Sequence, residues 1–146
     1  MRAIIQRVIQ SSVLVDGVQI GAIDAGIMAL IGFGKDDSEV RLAPMLEKIV
    51  NLRIFSNDQG RFDRSLIDSN GGLLVIPQFT LYADTSKGRR PEFFGALAPQ
   101  QAQPLFEQFV DLARRTLAIP VACGKFGADM KVSLTNDGPV TITLEL

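Results

Sequence analysis

Between Leu73 and Pro91 the chain reads LLVIPQFTLYADTSKGRRP, an apolar run that passes into a short basic loop. Leu73, Leu74, Val75 and Ile76 follow the turn-formers Asn70, Gly71 and Gly72, which predicts a strand buried on both faces. Pro77 has no N–H to offer a ladder, so strand pairing is expected to end or shift there. The amides of Gln78, Phe79 and Thr80 would then turn toward a cleft. A cluster of free N–H groups is what an oxyanion hole requires. The other reading of the same residues is a core strand that contains Pro and Gln without any catalytic part.

The other side chains narrow the chemistry further. The 146 residues include no histidine, which removes Ser-His-Asp and Cys-His catalysis and the common histidine-based metal sites. Cys123 is the single cysteine, so an internal disulfide and a multi-cysteine zinc site are both excluded, and a small apolar filler is its expected role. What remains is carboxylates, lysines, Thr or Tyr hydroxyls, backbone amides, or a group that the substrate brings. No cofactor is implied. With 47% hydrophobic residues, 21% charged residues and a net charge of -1, the composition is that of an ordinary soluble globular domain. Bulk charge predicts no nucleic-acid binding, so any RNA contact must be local. Met1 to Ser12 lacks the pattern of a signal peptide, and Gly26 to Gly34 is too short to span a bilayer. A cytoplasmic protein with no membrane partner is expected.

The elements that must position this stretch follow from periodicity. Arg2 to Gln10 alternates as a strand, with Ala3, Ile5, Arg7 and Ile9 on one face. Arg7 thus falls on an apolar face, where it either snorkels to an edge or holds carbonyl or carboxylate oxygens. Val13–Val15 and Val18–Ile20 flank Asp16-Gly17 and predict a type I′ hairpin. Gly26 to Phe33 is a buried strand, and Asp36, Asp37 and Ser38 offer an N-cap to a helix running to about Leu52. Pro44 falls either in its first turn or at a kink. Short strands are expected at Arg53–Ser56 and Phe62–Ile67, the second followed by an Asp68–Gly72 turn. Pro99 begins a helix through Leu117, stopped by Pro120. Met130 to Thr135 and Val140 to Leu146 alternate as two strands joined by a tight turn at Asn136, Asp137 and Gly138. The whole predicts a single α+β domain, antiparallel β-sheets in a barrel-like core with about two helices.

Two segments, PQFTL at Pro77 to Leu81 and TNDGPVT at Thr135 to Thr141, resemble D-aminoacyl-tRNA deacylase, the D-tyrosyl-tRNA deacylase family. Supporting matches run from end to end: IQRV at Ile5–Val8, RIFSN at Arg53–Asn57, GRRP at Gly88–Pro91 and KFGADMKVSL at Lys125–Leu134. The resemblance implies a homodimer that hydrolyses the ester between a D-amino acid, or glycine, and the terminal ribose of tRNA. It implies that Gly138 and Pro139 form a cis dipeptide that enters the other subunit's site and rejects L residues by collision with the peptide unit. Arg7 would hold that loop. Gln78, Phe79 and Thr80 would be the catalytic residues, with the Phe79 amide and the Gln78 side chain as polarising contacts and Thr80 as a positioner, since no histidine activates it. The ribose hydroxyl beside the ester could assist water or attack. No metal is needed. Lys87, Arg89 and Arg90 would meet phosphates at the acceptor end, or form a solvated basic loop.

Two positions depart from that pattern. Pro77 stands where SQFTL has serine, a feature similar to the PQATL segment of related deacylases that remove mischarged L-alanine, although Phe79 and Val140-Thr141 follow the D-selective pattern. Glu92 stands where RPSF is more common. The expected activity is therefore D-aminoacyl-tRNA hydrolysis. The rival readings are a deacylase of relaxed chirality acting on L-Ala-tRNA and a non-catalytic dimer that only binds tRNA ends.

Overall fold

The computed structural model describes residues 1–146. Its organising strand is β1 (Arg2–Val15), which turns through Asp16 and Gly17 at φ 51° and 79° into β2 (Val18–Ile23). Positive φ at both turn residues is the type I′ geometry that the Asp-Gly pair predicts. β3 (Gly26–Gly32) pairs antiparallel with the first half of β1, Ala3 opposite Ile31, while β2 pairs with the second half, Val15 opposite Val18. The other edge of β1 is covered by β8 (Met130–Glu145), from Arg2 opposite Glu145 to Val15 opposite Met130.

β8 corrects the expectation of two strands and a tight turn. The chain does not reverse at Asn136, because both halves pair with the same strand in the same direction. Between Asn136 and Thr141 β8 takes five steps where β1 takes two, from Val8 to Gln6, so Asp137 to Val140 leave the ladder as an excursion. The Asn136 side chain closes its base, accepting from the Val140 amide at 2.9 Å and donating to Thr141 Oγ1 at 2.9 Å. A turn signal in sequence marks a bulge as readily as a reversal. On β1 the matching irregularity leaves Ile9 as the extra residue, which explains why it is exposed although the alternation places it with Ile5.

α1 (Leu42–Asn51) follows a 3₁₀ turn at Glu39–Arg41, and Pro44 sits in its first turn, where a missing N–H is no loss. Ser38 makes no capping bond there, and the Asp37 carboxylate is engaged elsewhere. β4 (Phe55–Ser56) and β5 (Phe62–Arg64) form a small antiparallel pair. The strand expected to reach Ile67 stops at Arg64, and α2 (Leu66–Ser69) takes over. The cause is a capping box: Ser65 Oγ accepts from the Asp68 amide at 3.1 Å, and Asp68 Oδ2 accepts from the Ser65 amide at 2.9 Å.

β6 (Gly72–Pro77) lies parallel to β3, and β7 (Val121–Cys123) lies parallel to β6 after the crossover through α3 (Pro99–Thr116). The α+β class and the barrel-like core stand, with three helices and two parallel ladders within an otherwise antiparallel sheet. A strand–helix–strand crossover returns to the same edge and so forces parallel pairing. β2 curls across toward β7, where a Cβ on Gly21 would lie 3.0 Å from the Cys123 carbonyl oxygen, and this nearly closes the barrel. Leu74 and Ile76 fill the barrel interior with Val8, Val13 and Met28. Leu73 and Val75 face outward to a larger core under Met45, Ile49, Phe106 and Phe109. No helix is long and apolar enough to cross a membrane.

The parallel β3–β6 ladder begins at Gly26 opposite Gly72, where a Cβ on Gly26 would stand 2.0 Å from the Gly72 carbonyl oxygen. Backbone cannot step aside as a side chain can. Gly26→Ala is therefore expected to lower stability by about 1–3 kcal/mol or more, read as a fall in the urea midpoint; an unchanged midpoint would mean that the two strands separate there freely.

Candidate active site

β6 carries the central stretch to the rim of a groove of about 950 Å³, whose walls include Pro77, Gln78, Phe79, Phe93, Phe126 and Met130. Pro77 is still opposite Ile31, and it is the Gln78 amide that continues the ladder, donating to the Ile31 carbonyl at 2.7 Å. Gln78 N–H is thus taken by the sheet, contrary to the expectation that it points free into a cleft. In a parallel ladder the N–H of residue 77 would face the other neighbour, and β7 has already ended at Cys123. Gly124 still donates to the Val75 carbonyl at 2.8 Å, so the ladder with β7 stops where Pro77 has no N–H, while the ladder with β3 runs on through Gln78. The proline ring packs toward Gly124, where a Cβ would meet Pro77 Cδ at 3.3 Å.

After Gln78 the chain winds into a 3₁₀ turn, Phe79–Tyr82, closed by Leu81 N to Gln78 O at 3.4 Å and Ala83 N to Thr80 O at 3.0 Å. The leading amides of such a turn, those of Phe79 and Thr80, have no intrahelical acceptor. Phe79 lines the groove, and the Thr80 amide follows it on the same turn. Gln78 Nε2 donates to Thr80 Oγ1 at 2.5 Å, which ties the half-buried Gln78 side chain to the exposed Thr80 and leaves the Thr80 O–H free to donate. No carboxylate or amine bonds to that hydroxyl. Asp84, a base suggested by position, accepts instead from the Ser86 amide at 2.9 Å, and this bond holds its carboxyl below the usual carboxylate range. The Phe79 ring stands edge-on to Phe93 with centroids 4.9 Å apart.

The underside of the 3₁₀ turn is clamped. The half-buried Tyr82 donates from its hydroxyl to Asp37 Oδ2 at 3.2 Å, and the same carboxylate oxygen accepts from the Gly34 amide at 2.6 Å. Asp37 Oδ1 faces the Met1 amino group at 2.6 Å and Arg41 at 3.3 Å. Arg2 lies over the Tyr82 ring at 4.5 Å, donates to the Leu81 carbonyl at 3.1 Å and pairs with Glu145 at 3.0 Å. The ring needs the room that glycine leaves, since a Cβ on Gly34 would come within 2.6 Å of it.

Gly138 and Pro139 ride on the excursion of β8 and are joined by a cis peptide bond. Arg7, 8% exposed, reaches that excursion from β1: its Nε donates to the Asp137 carbonyl at 3.0 Å and pairs with Asp137 Oδ2 at 3.1 Å. Its Nη1 donates to the Ile54 carbonyl at 2.6 Å, and the guanidinium lies 5.5 Å from the Phe62 ring. The carbonyl it holds is thus that of Asp137, one residue before the dipeptide. Within one chain the dipeptide does not meet Gln78. Pro77 is level with Ala3 through Ile31, whereas Asn136 is level with Val8. Five residues along β1 is about 17 Å. Lys87, Arg89 and Arg90 are exposed in a loop whose ends, Asp84 and Glu92, exchange backbone bonds of 2.7 and 2.9 Å. Glu92 closes the loop with its main chain, so serine is not required there.

A family model described as D-Tyr-tRNA(Tyr) deacylase matches residues 4–145. The chain belongs to the D-Tyr-tRNA(Tyr) deacylase family. A D-aminoacyl-tRNA deacylase of Chlorobaculum parvum is 52% identical over 145 residues, covering 99% of this chain and 97% of its own. Another, of Roseiflexus castenholzii, is 54% identical over 145 residues, covering 99% and 92%. The solved structure of c-Myc DNA Unwinding Element Binding Protein superposes with a TM-score of 0.94 at 40% identity, covering 100% and 99%. That of a probable eukaryotic D-amino acid tRNA deacylase gives 0.82 at 21% identity, covering 99% and 98%, and speaks for the fold alone.

In this member of the deacylase family, sequence reasoning missed Arg2, Asp37, Tyr82 and Asn136. Asn136 is within the recognised TNDGPVT segment and could have been found there as a side-chain cap. The other three meet across separations of 45 and 79 residues, which no local pattern reports. The clamp has a titration signature. Burial first, then the Asp37 carboxylate, push the Tyr82 phenol up to about 12 from 10. Between those values the native state keeps a proton that the unfolded state has lost, so stability is full below pH 10 and falls as pH rises toward 12. Tyr82→Phe should flatten that segment of an alkaline urea-stability profile; an identical slope would place the phenol outside the folded network.

Proposed function

We propose that this chain removes D-aminoacyl groups from tRNA at the 3₁₀ turn beyond β6. That it is a D-aminoacyl-tRNA deacylase, an ester hydrolase, rests on its family and on relatives about half identical along its length. The observation that carries the arrangement of the site is the pair of leading amides, Phe79 and Thr80, on a turn whose Phe79 lines the groove, with no acid-base pair in reach of the Thr80 hydroxyl. In this reading the ester carbonyl oxygen meets the Phe79 amide, and the Gln78 side chain adds a second polar contact. Removing one such donor costs about 2.7–4 kcal/mol of transition-state stabilisation. Thr80 positions, and the nucleophile is water aided by the neighbouring ribose hydroxyl.

The screen for chirality is the Gly138-Pro139 unit of a second copy. The separation of the two segments within one chain favours a homodimer with cross-subunit sites, each completing the other. Arg7 fixes the excursion through the Asp137 carbonyl, and rejection of an L residue then comes from backbone rather than from a shaped pocket. Gly138 sits at φ 132°, and a Cβ there would meet Val140 Cγ2 at 2.8 Å and Arg7 Nη2 at 3.2 Å. Lys87, Arg89 and Arg90 contact acceptor-end phosphates, in keeping with a cytoplasmic substrate.

Single-turnover assays on D-Tyr-, L-Tyr-, Gly- and L-Ala-tRNA test the reading. The wild type should hydrolyse the D-Tyr and Gly esters and spare both L esters, and Gly138→Ala should depress the D-Tyr rate at least tenfold. Hydrolysis of L-Ala-tRNA would instead assign relaxed chirality to Pro77, and an unaltered Gly138→Ala rate would remove the excursion from the site. Thr80→Val should retain substantial activity. Its complete loss, with circular dichroism unchanged, would make Thr80 the nucleophile.

A further inference from the structure

Of the aromatic residues around the groove, one has no structural employment. Phe79 packs edge-on to Phe93, and Phe106 lies tilted against Phe126, whereas Phe94 belongs to neither pair and is 73% exposed among the groove's lining residues. Phe79, 56% exposed, lines the same groove, so Phe94 belongs to an apolar patch rather than standing singly, and such a patch marks a place where something docks. Its setting says what. Phe94 follows directly on the loop that carries Lys87, Arg89 and Arg90, two residues beyond the bridge at Glu92. On its other side Gly95 accepts from the Lys35 amide at 3.2 Å, and Lys35 is the cation among the groove's lining residues. Of the carboxylates nearby, Asp129, which lines the groove, pairs with Lys131 at 2.9 Å, while Asp84 and Glu92 are exposed at the loop's base. An open ring face beside clustered cations is the chemistry that receives single-stranded RNA: bases stack on the ring while the backbone follows the positive charge.

Resting on the deacylase reading, we infer that Phe94 is a stacking platform for the unpaired nucleotide that precedes the esterified one, with Lys35 beside its phosphate. The terminal nucleoside and its ester occupy the groove, and the strand leaves over Phe94 toward the basic loop. The ring is thus used only by substrates longer than one nucleotide, and it makes no contact with the reacting atoms.

The test compares D-tyrosyl-tRNA with 3′-O-D-tyrosyl-adenosine, which lacks the preceding nucleotide, for the wild type, Phe94→Leu and Phe94→Trp. Phe94→Leu should raise KM for the tRNA roughly 5- to 150-fold, the range for loss of one stacked base, with kcat held and with the adenosine ester unaffected. Phe94→Trp should restore the tRNA KM, because a larger ring stacks as well. Lys35→Gln should raise the tRNA KM and lessen its salt dependence by about one phosphate contact. Equal losses on both substrates would place Phe94 in the nucleoside groove or in folding, and no loss on either would leave the ring idle; each overturns the inference. So would a Phe94→Leu protein that falls from dimer to monomer in sedimentation, since a second copy would then be the occupant. Failure of the wild type on both esters would instead sink the deacylase reading itself.

Discussion

A guanidinium buried on an apolar strand face must find oxygens or stay out of the fold, because an unpaired buried charge costs several kcal/mol. Arg7 finds three, on Ile54 and Asp137, and in doing so ties the middle of β1 to the segment after α1 and to the excursion of β8. β1 is the longest strand paired on both edges, with β2 and β3 on one and β8 on the other. Its ladders set where β3 and β6 end, and hence where the 3₁₀ turn begins. The same strand therefore fixes both segments of the proposed chemistry, one through its register and one through a side chain.

What the chain lacks shapes the site as much as what it contains. Without histidine, and with Asp84 and Asp37 each accepting from backbone amides, proton transfer from Thr80 to a protein base has no candidate. The resource left is orientation. A 3₁₀ turn offers two leading amides only if it is held still, and Tyr82, Asp37 and Arg2 hold it from below while Gln78 holds the Thr80 side chain. Preorganised dipoles need no rearrangement when charge develops, which is why rigidity under the turn matters to the rate.

Local signals were read well and distant ones were not. Asp16-Gly17, the apolar run of β6 and the stripe of α3 each specify their own geometry, and all three stand as expected. The fold class and the family were legible for the same reason, since whole motifs lie contiguous in sequence. Asn136 to Gly138 carries the residues of a reversal, yet whether such a turn reverses the chain or bulges from it depends on whether one partner strand is long enough to pair with both flanks. β1 is. Ser65-Leu66-Ile67-Asp68 held a capping box that the apolar pair inside it obscured. The freedom assigned to the Gln78 amide failed because proline displaces the pairing of its own N–H and not that of the next residue.

The excursion at Asp137–Val140 is anchored at both ends, at Asp137 by the Arg7 ion pair and at Val140 by burial in the core, and only its outermost unit, Gly138-Pro139, has neither a ladder partner nor a place in the core. The ladder resumes at Thr141 opposite Gln6, and the Asn136 side chain seals the junction. A change confined to that outermost peptide therefore does not propagate into the register of the sheet. Selectivity in such a protein can drift in evolution separately from stability, as a tool tip can be exchanged without reforging the handle.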